Sequence, residues 1–391
     1  MPPPLTLLRN ATVYAPAALG NVDVLLGGGR ILAIGADLPA GMTTDLAETI
    51  DCTGKTLIPG LVDAHTHLTG GGGEGGAHTK VPPVQLSALT MAGVTTAIGL
   101  LGTDCRTRSI AELLAAARGL EYYGITTFCY TGGYEVPPVT LTGSARGDIV
   151  NVDRIVAMGE IAISDPRSSQ PTFDELARLA ADAHVAGMMT GKAGILHLHL
   201  GDGPRGLDLV RRILAETEIP PRVFHPTHCN RNRPLWEEAV ALSALGCTID
   251  ITAFPPDESD PGLTAANAIV DWHARGLPAY QLTVSSDGGG CLPTFDADGT
   301  LRAMDVGSAA MLLTTLHEAN VRGVPFEYAL ATMTSNVATL FRLHRKGEIA
   351  PGKDADVVLL DANRVVDTVY ANGVGLVLAG VPTRLGMFEP A

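Results

Sequence analysis

Two histidines separated by one residue, His65 and His67, follow the apolar run LIPGLVDA and give the strongest chemical signal in the sequence. On a β-strand, side chains two positions apart point to the same side. Both imidazoles can therefore reach one metal ion, at Zn–N distances of about 2.0–2.1 Å. The alternative is that both are structural histidines at the end of a strand.

Three later residues favour the metal interpretation. His199 in ILHLHLGD, His228 in RVFHPTH and Asp287 in LTVSSDGGG each stand at the end of an apolar, strand-like run. In a (β/α)₈ barrel, the carboxyl ends of the strands converge on one face, where active sites lie. Nitrogen and oxygen donors from four strands suit one or two divalent metal ions with a position left for water. We interpret His197 as a buried, hydrogen-bonded histidine, and we expect His225, three residues before His228, to point elsewhere; neither is predicted to bind metal.

The elements that must position these residues are strands alternating with helices. From residue 60 to 345, short apolar runs alternate with Ala- and Leu-rich helical stretches, as is typical of parallel βα units. The two ends of the chain are strand-rich and similar in composition. We therefore predict an α/β fold with a (β/α)₈ TIM-like barrel over 60–345. Residues 1–59 and 346–391 are predicted to pair as a small β-sandwich domain.

Composition limits the function classes. The 391 residues carry a net charge of −14, which argues against nucleic-acid or anionic-membrane partners because no basic surplus can meet phosphates. The six cysteines are scattered and form no CxxC pair, so a disulfide framework or a thiolate zinc site is not expected. The first residues lack the pattern of a signal peptide, and no run is long enough for a membrane helix. We predict a cytoplasmic protein.

The order of these motifs resembles the amidohydrolase superfamily. The segment GEIAPGKDADVVLLD is similar to that superfamily's return into its small β domain. Longer segments narrow the resemblance to the bacterial isoaspartyl dipeptidase family, and they run over nearly the whole chain. These segments are HLTGGGGEGG, GLLGTD, YTGGYEVP, AISDPRS, HLGD, PTHCNRNRPL and VSSDGGG.

The resemblance implies two metal ions, expected to be zinc, although Co, Mn or Fe would suit the same donors. His65, His67 and Asp287 would hold the more buried ion, and His199 and His228 the second. The family bridges its metals with a carboxylated lysine, whereas this chain has Glu160 at that position. Glutamate supplies the right charge, but its carboxyl group lies several bonds closer to the backbone. Either Glu160 bridges after a local shift, or it replaces the bridge only in part and one metal is weak.

The resemblance also assigns residues to the substrate. Tyr134 would donate to the developing oxyanion, and Arg167 and Arg231 would bind carboxylates. The remaining assignments are Glu74 for the substrate ammonium, the Gly72 carbonyl and Thr103 as helpers, and Cys291 where the family usually has serine.

The activity implied is hydrolysis of the isopeptide bond of β-aspartyl dipeptides by a metal-activated hydroxide, with Asp287 accepting and returning a proton. A homo-oligomer is expected from the family. Two other functions stay open. One is a cyclic amidase or N-acyl-amino-acid deacylase, and the other is a metal-poor binding protein.

Overall fold

The computed structural model describes residues 5–38, 47–255, 263–295 and 301–390, which form a parallel barrel and a mixed sheet. The strands are β1 (Leu5–Tyr14), β2 (Ala18–Gly27), β3 (Arg30–Gly35), β4 (Ala47–Asp51), β5 (Thr56–Pro59), β6 (Leu61–Thr66), β7 (Val94–Gly99), β8 (Thr126–Thr131), β9 (Ile155–Ile163), β10 (Leu196–Leu200), β11 (Phe224–Thr227), β12 (Ile249–Thr252), β13 (Leu282–Ser285), β14 (Cys291–Phe295), β15 (Leu301–Val306), β16 (Val357–Leu360), β17 (Val366–Ala371), β18 (Val374–Leu378) and β19 (Val381–Pro382).

Helices alternate with the strands between β6 and β16. They are α1 (Leu86–Thr90), α2 (Ile110–Tyr123), α3 (Ala145–Asn151), α4 (Phe173–Thr190), α5 (Asp208–Glu216), α6 (Arg233–Ser243), α7 (Ala265–Ala274), α8 (Met311–Val321), α9 (Phe326–Ala331) and α10 (Ser335–Leu340). The longest, α4, begins with a capping box in which the Thr172 and Glu175 side chains satisfy each other's backbone N–H groups. No helix in the described ranges is long and apolar enough to cross a membrane.

The barrel consists of β6 to β13. Strands β6 to β11 pair in sequence order as a parallel sheet, and β12 pairs with β13 in parallel. A bridge between Thr66 and Gly288 joins the end of β6 to the chain after β13. Strands β6, β7, β9 and β10 are buried along their whole length, as expected for parallel strands covered by helices. The predicted TIM-like barrel is confirmed.

The terminal segments contribute the second sheet. Among the described residues it has nine strands, in the order β19-β18-β17-β16-β5-β1-β2-β3, with β4 paired to β1. Its N-terminal and C-terminal parts meet where β5 pairs antiparallel with β16. The strand-rich ends therefore pair with each other. The exact division at residues 59/60 and 345/346 stays a prediction.

Candidate metal centre and substrate pocket

The barrel brings six potential metal donors to the carboxyl ends of its strands. Each donor is buried and belongs to, or directly follows, a barrel strand. They are His65 and His67 at β6, Glu160 in β9, His199 in β10, His228 after β11 and Asp287 after β13. Three overlapping trios of these residues have ligand atoms within 4.8 Å of one another: His65–His67–Glu160, His65–His228–Asp287 and Glu160–His199–His228.

Glu160 lies between the two pairs of histidines. Its Oε1 is 3.6 Å from His65 Nε2 and 3.5 Å from His67 Nε2. Its Oε2 is 3.2 Å from His199 Nδ1 and 3.6 Å from His228 Nε2. One oxygen therefore faces each pair, which is the geometry that a carboxylate shared by two cations requires.

Orphaned atoms in this cluster fit a metal ion. His65 Nε2 and Asp287 Oδ1, which lie 3.4 Å apart, are buried without a hydrogen-bond partner among the described residues. Asp287 Oδ1 lies 3.0 Å from His67 Nε2 and 3.4 Å from His65 Nε2, but without hydrogen-bond geometry. Buried polar atoms of this kind cost free energy unless an ion or water satisfies them. Imidazole and carboxylate donors are those that zinc prefers.

Two donors are held in an unfavourable backbone conformation. His228 has φ 59° and Asp287 has φ 52°, in the left-handed region that residues with a Cβ seldom occupy. Such a conformation costs roughly 1–3 kcal/mol and persists where the surrounding structure enforces it, often at functional sites. Next to Asp287, the backbone is held by Asp63, whose Oδ1 accepts from the backbone N–H groups of His65 and Ser286.

The charges in the cluster are coupled. Burial alone would raise the pKa of Glu160, but the nearby His65, His199 and His228 lower it well below its ordinary value. Burial also opposes ionisation of Asp287, yet contacts with His65 and His67 lower the pKa of that carboxyl. Both carboxylates are therefore ionised at neutral pH and available to a cation.

Neighbouring side chains contact the outer nitrogens of three donor histidines. His65 Nδ1 is 2.9 Å from His197 Nε2, and His228 Nδ1 is 2.7 Å from Thr252 Oγ1. His199 Nε2 is 3.0 Å from Asp165 Oδ2. Contacts of this type orient a ligand ring and select its tautomer.

The cavity next to the donors has a volume of about 860 Å³ and holds the predicted substrate residues. Glu74 Oε1 accepts from Thr103 Oγ1 at 2.9 Å and from Cys291 Sγ at 3.1 Å. Arg167 Nη1 lies 3.3 Å from the same oxygen. Gly72 lines this cavity at φ 81°, where a Cβ would stand 2.5 Å from the Thr79 carbonyl oxygen, so glycine is required there.

Tyr134 and Arg231 occupy other parts of the cavity. The Tyr134 hydroxyl is 2.8 Å from His199 Nδ1, and burial and the Glu160 charge raise the pKa of that phenol well above its ordinary value. Arg231 donates to the Leu200 carbonyl at 3.1 Å and is half-buried. The predicted substrate residues and four of the metal donors thus line one cavity, and the other two donors, His65 and His228, each lie 3.6 Å from Glu160.

Asp165 is a site residue that the sequence argument missed. It is buried and lies against His199. Its carboxylate accepts two hydrogen bonds from Arg167, one from Nε at 3.0 Å and one from Nη2 at 2.8 Å. The signal was present, because Asp165 stands just past the end of β9 in the motif AISDPRS. Only the arginine of that motif was assigned.

Comparisons with known proteins agree with this geometry. Residues 56–376 match the model of the amidohydrolase family. The structure of a beta-aspartyl dipeptidase from the thermophilic, keratin-degrading Fervidobacterium islandicum AW-1, in complex with beta-Asp-Leu dipeptide, is 42% identical with a TM-score of 0.92. That similarity covers 98% of this chain and 100% of the other.

More distant similarities also extend over most of the chain. A dihydropyrimidinase from Brevibacillus agri NCHU1002 is 19% identical with a TM-score of 0.68, over 97% of this chain and 96% of that one. An allantoinase from Escherichia coli strain K12 is 23% identical over 91% of this chain and 86% of its own length.

Proposed function

This chain belongs to the amidohydrolase family, and we propose that it is a metal-dependent dipeptidase that hydrolyses the isopeptide bond of β-aspartyl dipeptides. One observation carries the substrate assignment. A carboxylate and a guanidinium, those of Glu74 and Arg167, lie 3.3 Å apart on the wall of a cavity that is also lined by four of the six metal donors.

Such a pair suits a zwitterion. The amino-terminal half of a β-aspartyl dipeptide carries an ammonium and a carboxylate on one carbon atom, two bonds from the scissile carbonyl. Glu74 can pair with the ammonium while Arg167 binds the carboxylate with two parallel hydrogen bonds. Hydantoins and N-acyl amino acids have no ammonium, so Glu74 would be left buried against a neutral group. The pair therefore supports the dipeptide over those two substrate classes.

The proposed cofactor is a pair of zinc ions. His65, His67 and Asp287 would hold one, His199 and His228 the other, and Glu160 would bridge them. Bound zinc supplies an activated water nucleophile and polarises the scissile carbonyl. The intact set of six donors speaks against a metal-poor binding protein.

The chain's own residues would handle protons and charge. Because Asp287 is ionised at neutral pH, it can accept a proton from the attacking water and return it to the leaving amine. Because the Tyr134 phenol stays protonated, its hydroxyl can donate to the oxygen that becomes negative. Arg231, which lines the same cavity, would bind the second carboxylate, that of the leaving amino acid. Homo-oligomer formation and a cytoplasmic location stay predictions.

The test compares substrates on protein purified without chelator, with metal content measured by inductively coupled plasma mass spectrometry. We expect near two metals per chain and turnover of β-Asp-Leu. N-succinyl-leucine is the same molecule without the ammonium, and we expect its kcat/KM to be at least about 100-fold lower. Equal turnover of both compounds, or faster turnover of hydantoin, would reject the assignment.

Glu74→Gln sharpens this comparison. Removing the charge should raise KM for β-Asp-Leu and leave the kinetic constants for N-succinyl-leucine almost unchanged. The ratio of kcat/KM between the two substrates should therefore become smaller. Glu48→Gln, in strand β4 of the mixed sheet, serves as the matched control and should leave the ratio unchanged.

A further inference from the structure

A row of hydrogen bonds runs from His65 away from the metal donors and through the barrel interior. His65 Nδ1 is 2.9 Å from His197 Nε2, and His197 Nδ1 is 2.9 Å from His225 Nδ1. His225 Nε2 is 2.9 Å from Thr283 Oγ1, which is 2.6 Å from Asp250 Oδ1. All five side chains are fully buried. Strand register makes the row, because His197 in β10 is paired directly with His225 in β11.

The far end of the row fixes the direction of every proton. The Asp250 carboxylate can only accept, so the Thr283 hydroxyl donates its proton to it. The Thr283 oxygen is then left to accept from His225 Nε2–H, which leaves a lone pair on His225 Nδ1.

His197 therefore carries its proton on Nδ1. That atom faces two acceptors, the lone pair of His225 Nδ1 at 2.9 Å and the backbone carbonyl of His225 at 3.0 Å. The carbonyl contact by itself requires a proton on His197 Nδ1, since a carbonyl oxygen can only accept a hydrogen bond. The other nitrogen of a neutral His197 is then an acceptor, and it accepts from His65 Nδ1–H.

The consequence falls on the metal centre. With Nδ1 of His65 committed as a donor, only Nε2 remains to bind a cation. Nε2 is the atom without a hydrogen-bond partner among the described residues, 3.4 Å from Asp287 Oδ1 and 3.6 Å from Glu160 Oε1. We propose that His197 is a positioning residue, which holds the His65 ring and its tautomer so that Nε2 is presented to the metal. This inference rests on the metal centre proposed above.

Tyr130 keeps His197 in place. Its ring stacks on the His197 ring at 5.0 Å and 19°, and its hydroxyl donates to the Ala64 carbonyl at 2.8 Å. His197 can thus neither rotate away nor exchange partners without breaking packed contacts. Partners of this kind usually change metal affinity by about 10–100-fold when removed.

The first test measures zinc affinity of the full chain by competition with a chromogenic chelator, independently of activity. His197→Leu should weaken zinc binding by about 10–100-fold. His197→Gln retains an acceptor oxygen and should recover most of that loss. His225→Leu keeps the backbone carbonyl that orients His197, so we expect a change of less than about 3-fold.

Phe341→Leu is the control for lost packing, because Phe341 lies against both Tyr130 and His225 without a hydrogen bond to the row. It should lower the free energy of unfolding and leave zinc affinity unchanged. If the wild type binds zinc and His197→Leu binds it with equal affinity, the positioning role of His197 would be overturned, while the proposed metal centre would stand. A wild-type chain that binds no zinc would overturn both this role and the proposed metal centre.

A second measurement needs no variant. In the metal-free wild-type protein labelled with ¹⁵N in its imidazoles, NMR should find slowly exchanging protons on Nδ1 of both His65 and His197. A proton on Nε2 of His197 would contradict the inference even if the variants failed to fold.

Discussion

The Asp165 carboxylate and the His199 imidazole are 3.0 Å apart, from Oδ2 to Nε2, on the side of the ring that faces away from Glu160. Although burial would raise the pKa of Asp165, hydrogen bonds with His199 and Arg167 lower it below its ordinary value. The ionised carboxylate accepts a hydrogen bond from Nε2–H of His199. The lone pair of His199 is therefore on Nδ1, the nitrogen that faces Glu160 in the donor cluster. The same carboxylate also accepts from Arg167, so it would link the proposed metal centre to the proposed substrate-binding arginine.

The first prediction concerns this link. Asp165→Ala should weaken binding of the second metal by about 10–100-fold and raise KM for β-Asp-Leu, because Arg167 loses two hydrogen bonds. The metal affinity and KM of Asp165→Asn should lie between those of Asp165→Ala and the wild type. Metal titration and steady-state kinetics measure the two effects. Asp182→Ala, at a surface ion pair with Arg146, is the control and should change neither. Unchanged metal affinity in Asp165→Ala would refute the link.

The sequence was sufficient to predict the fold and which strands carry the donors. Parallel strands place their carboxyl ends on one face, so apolar runs that end in His199, His228 and Asp287 could be assigned to one site without a structure. The resemblance added residues such as Glu74, whose position in a glycine-rich segment carries no chemical signal of its own.

What the sequence could not provide was distance and register. The sequence left open whether Glu160 bridges after a local shift or replaces the bridge only in part, whereas in the structure its oxygens lie 3.2–3.6 Å from imidazoles of both pairs. Where the β9 backbone lies relative to its neighbours decides this, and no local pattern encodes it. The pairing of His197 with His225 likewise depends on the register of β10 against β11. The sequence predicts a buried, hydrogen-bonded His197, but it does not predict that His225 is its partner.

Glu160 gives the second prediction. Glu160→Gln keeps the shape and removes the charge that would be shared by two cations, so we expect metal content to fall from near two to one or less per chain. We expect kcat to fall by at least about 100-fold, the scale of losing one charge-stabilising group. Mass spectrometry of the metal and turnover of β-Asp-Leu measure both.

A charge-preserving variant tests whether reach also matters at this position. Glu160→Asp shortens the side chain by one methylene, and its oxygens can no longer face both histidine pairs at 3.2–3.6 Å. It should lose one metal as well. Two metals and full activity in Glu160→Gln would show that the carboxylate is not the bridge.

Tyr134 gives the third prediction. Tyr134→Phe removes the hydroxyl proposed to stabilise the oxyanion, so kcat should fall by about 10²–10³-fold with little change in KM. Tyr328→Phe is the matched control, because it also removes a tyrosine hydroxyl. The Tyr328 hydroxyl donates to the Leu277 carbonyl, away from the site, and the residue is half-buried. The substitution should lower stability slightly and leave kcat intact. A loss confined to KM in Tyr134→Phe would assign the hydroxyl to substrate binding instead.

The fourth prediction is a pH dependence of stability in the metal-free protein. Burial lowers the pKa of His225 from 6.5 to about 3. Between those values the unfolded chain binds a proton at this residue and the folded chain does not. The free energy of unfolding therefore rises with pH across that window. Acidification from pH 6.5 towards 3 lowers it by up to about 1.4 kcal/mol per pH unit. Above pH 6.5 both states are neutral and the contribution is constant.

Urea unfolding at a series of pH values measures this slope. His225→Leu deletes the titrating group, so its free energy of unfolding should fall less steeply than that of the wild type between pH 6.5 and 4. The exposed His78 is the control, and His78→Gln should follow the wild-type curve. Parallel curves for His225→Leu and the wild type would mean that His225 is not held neutral. The proton order deduced for the row, in which His225 Nδ1 offers a lone pair to His197, would then fail with it.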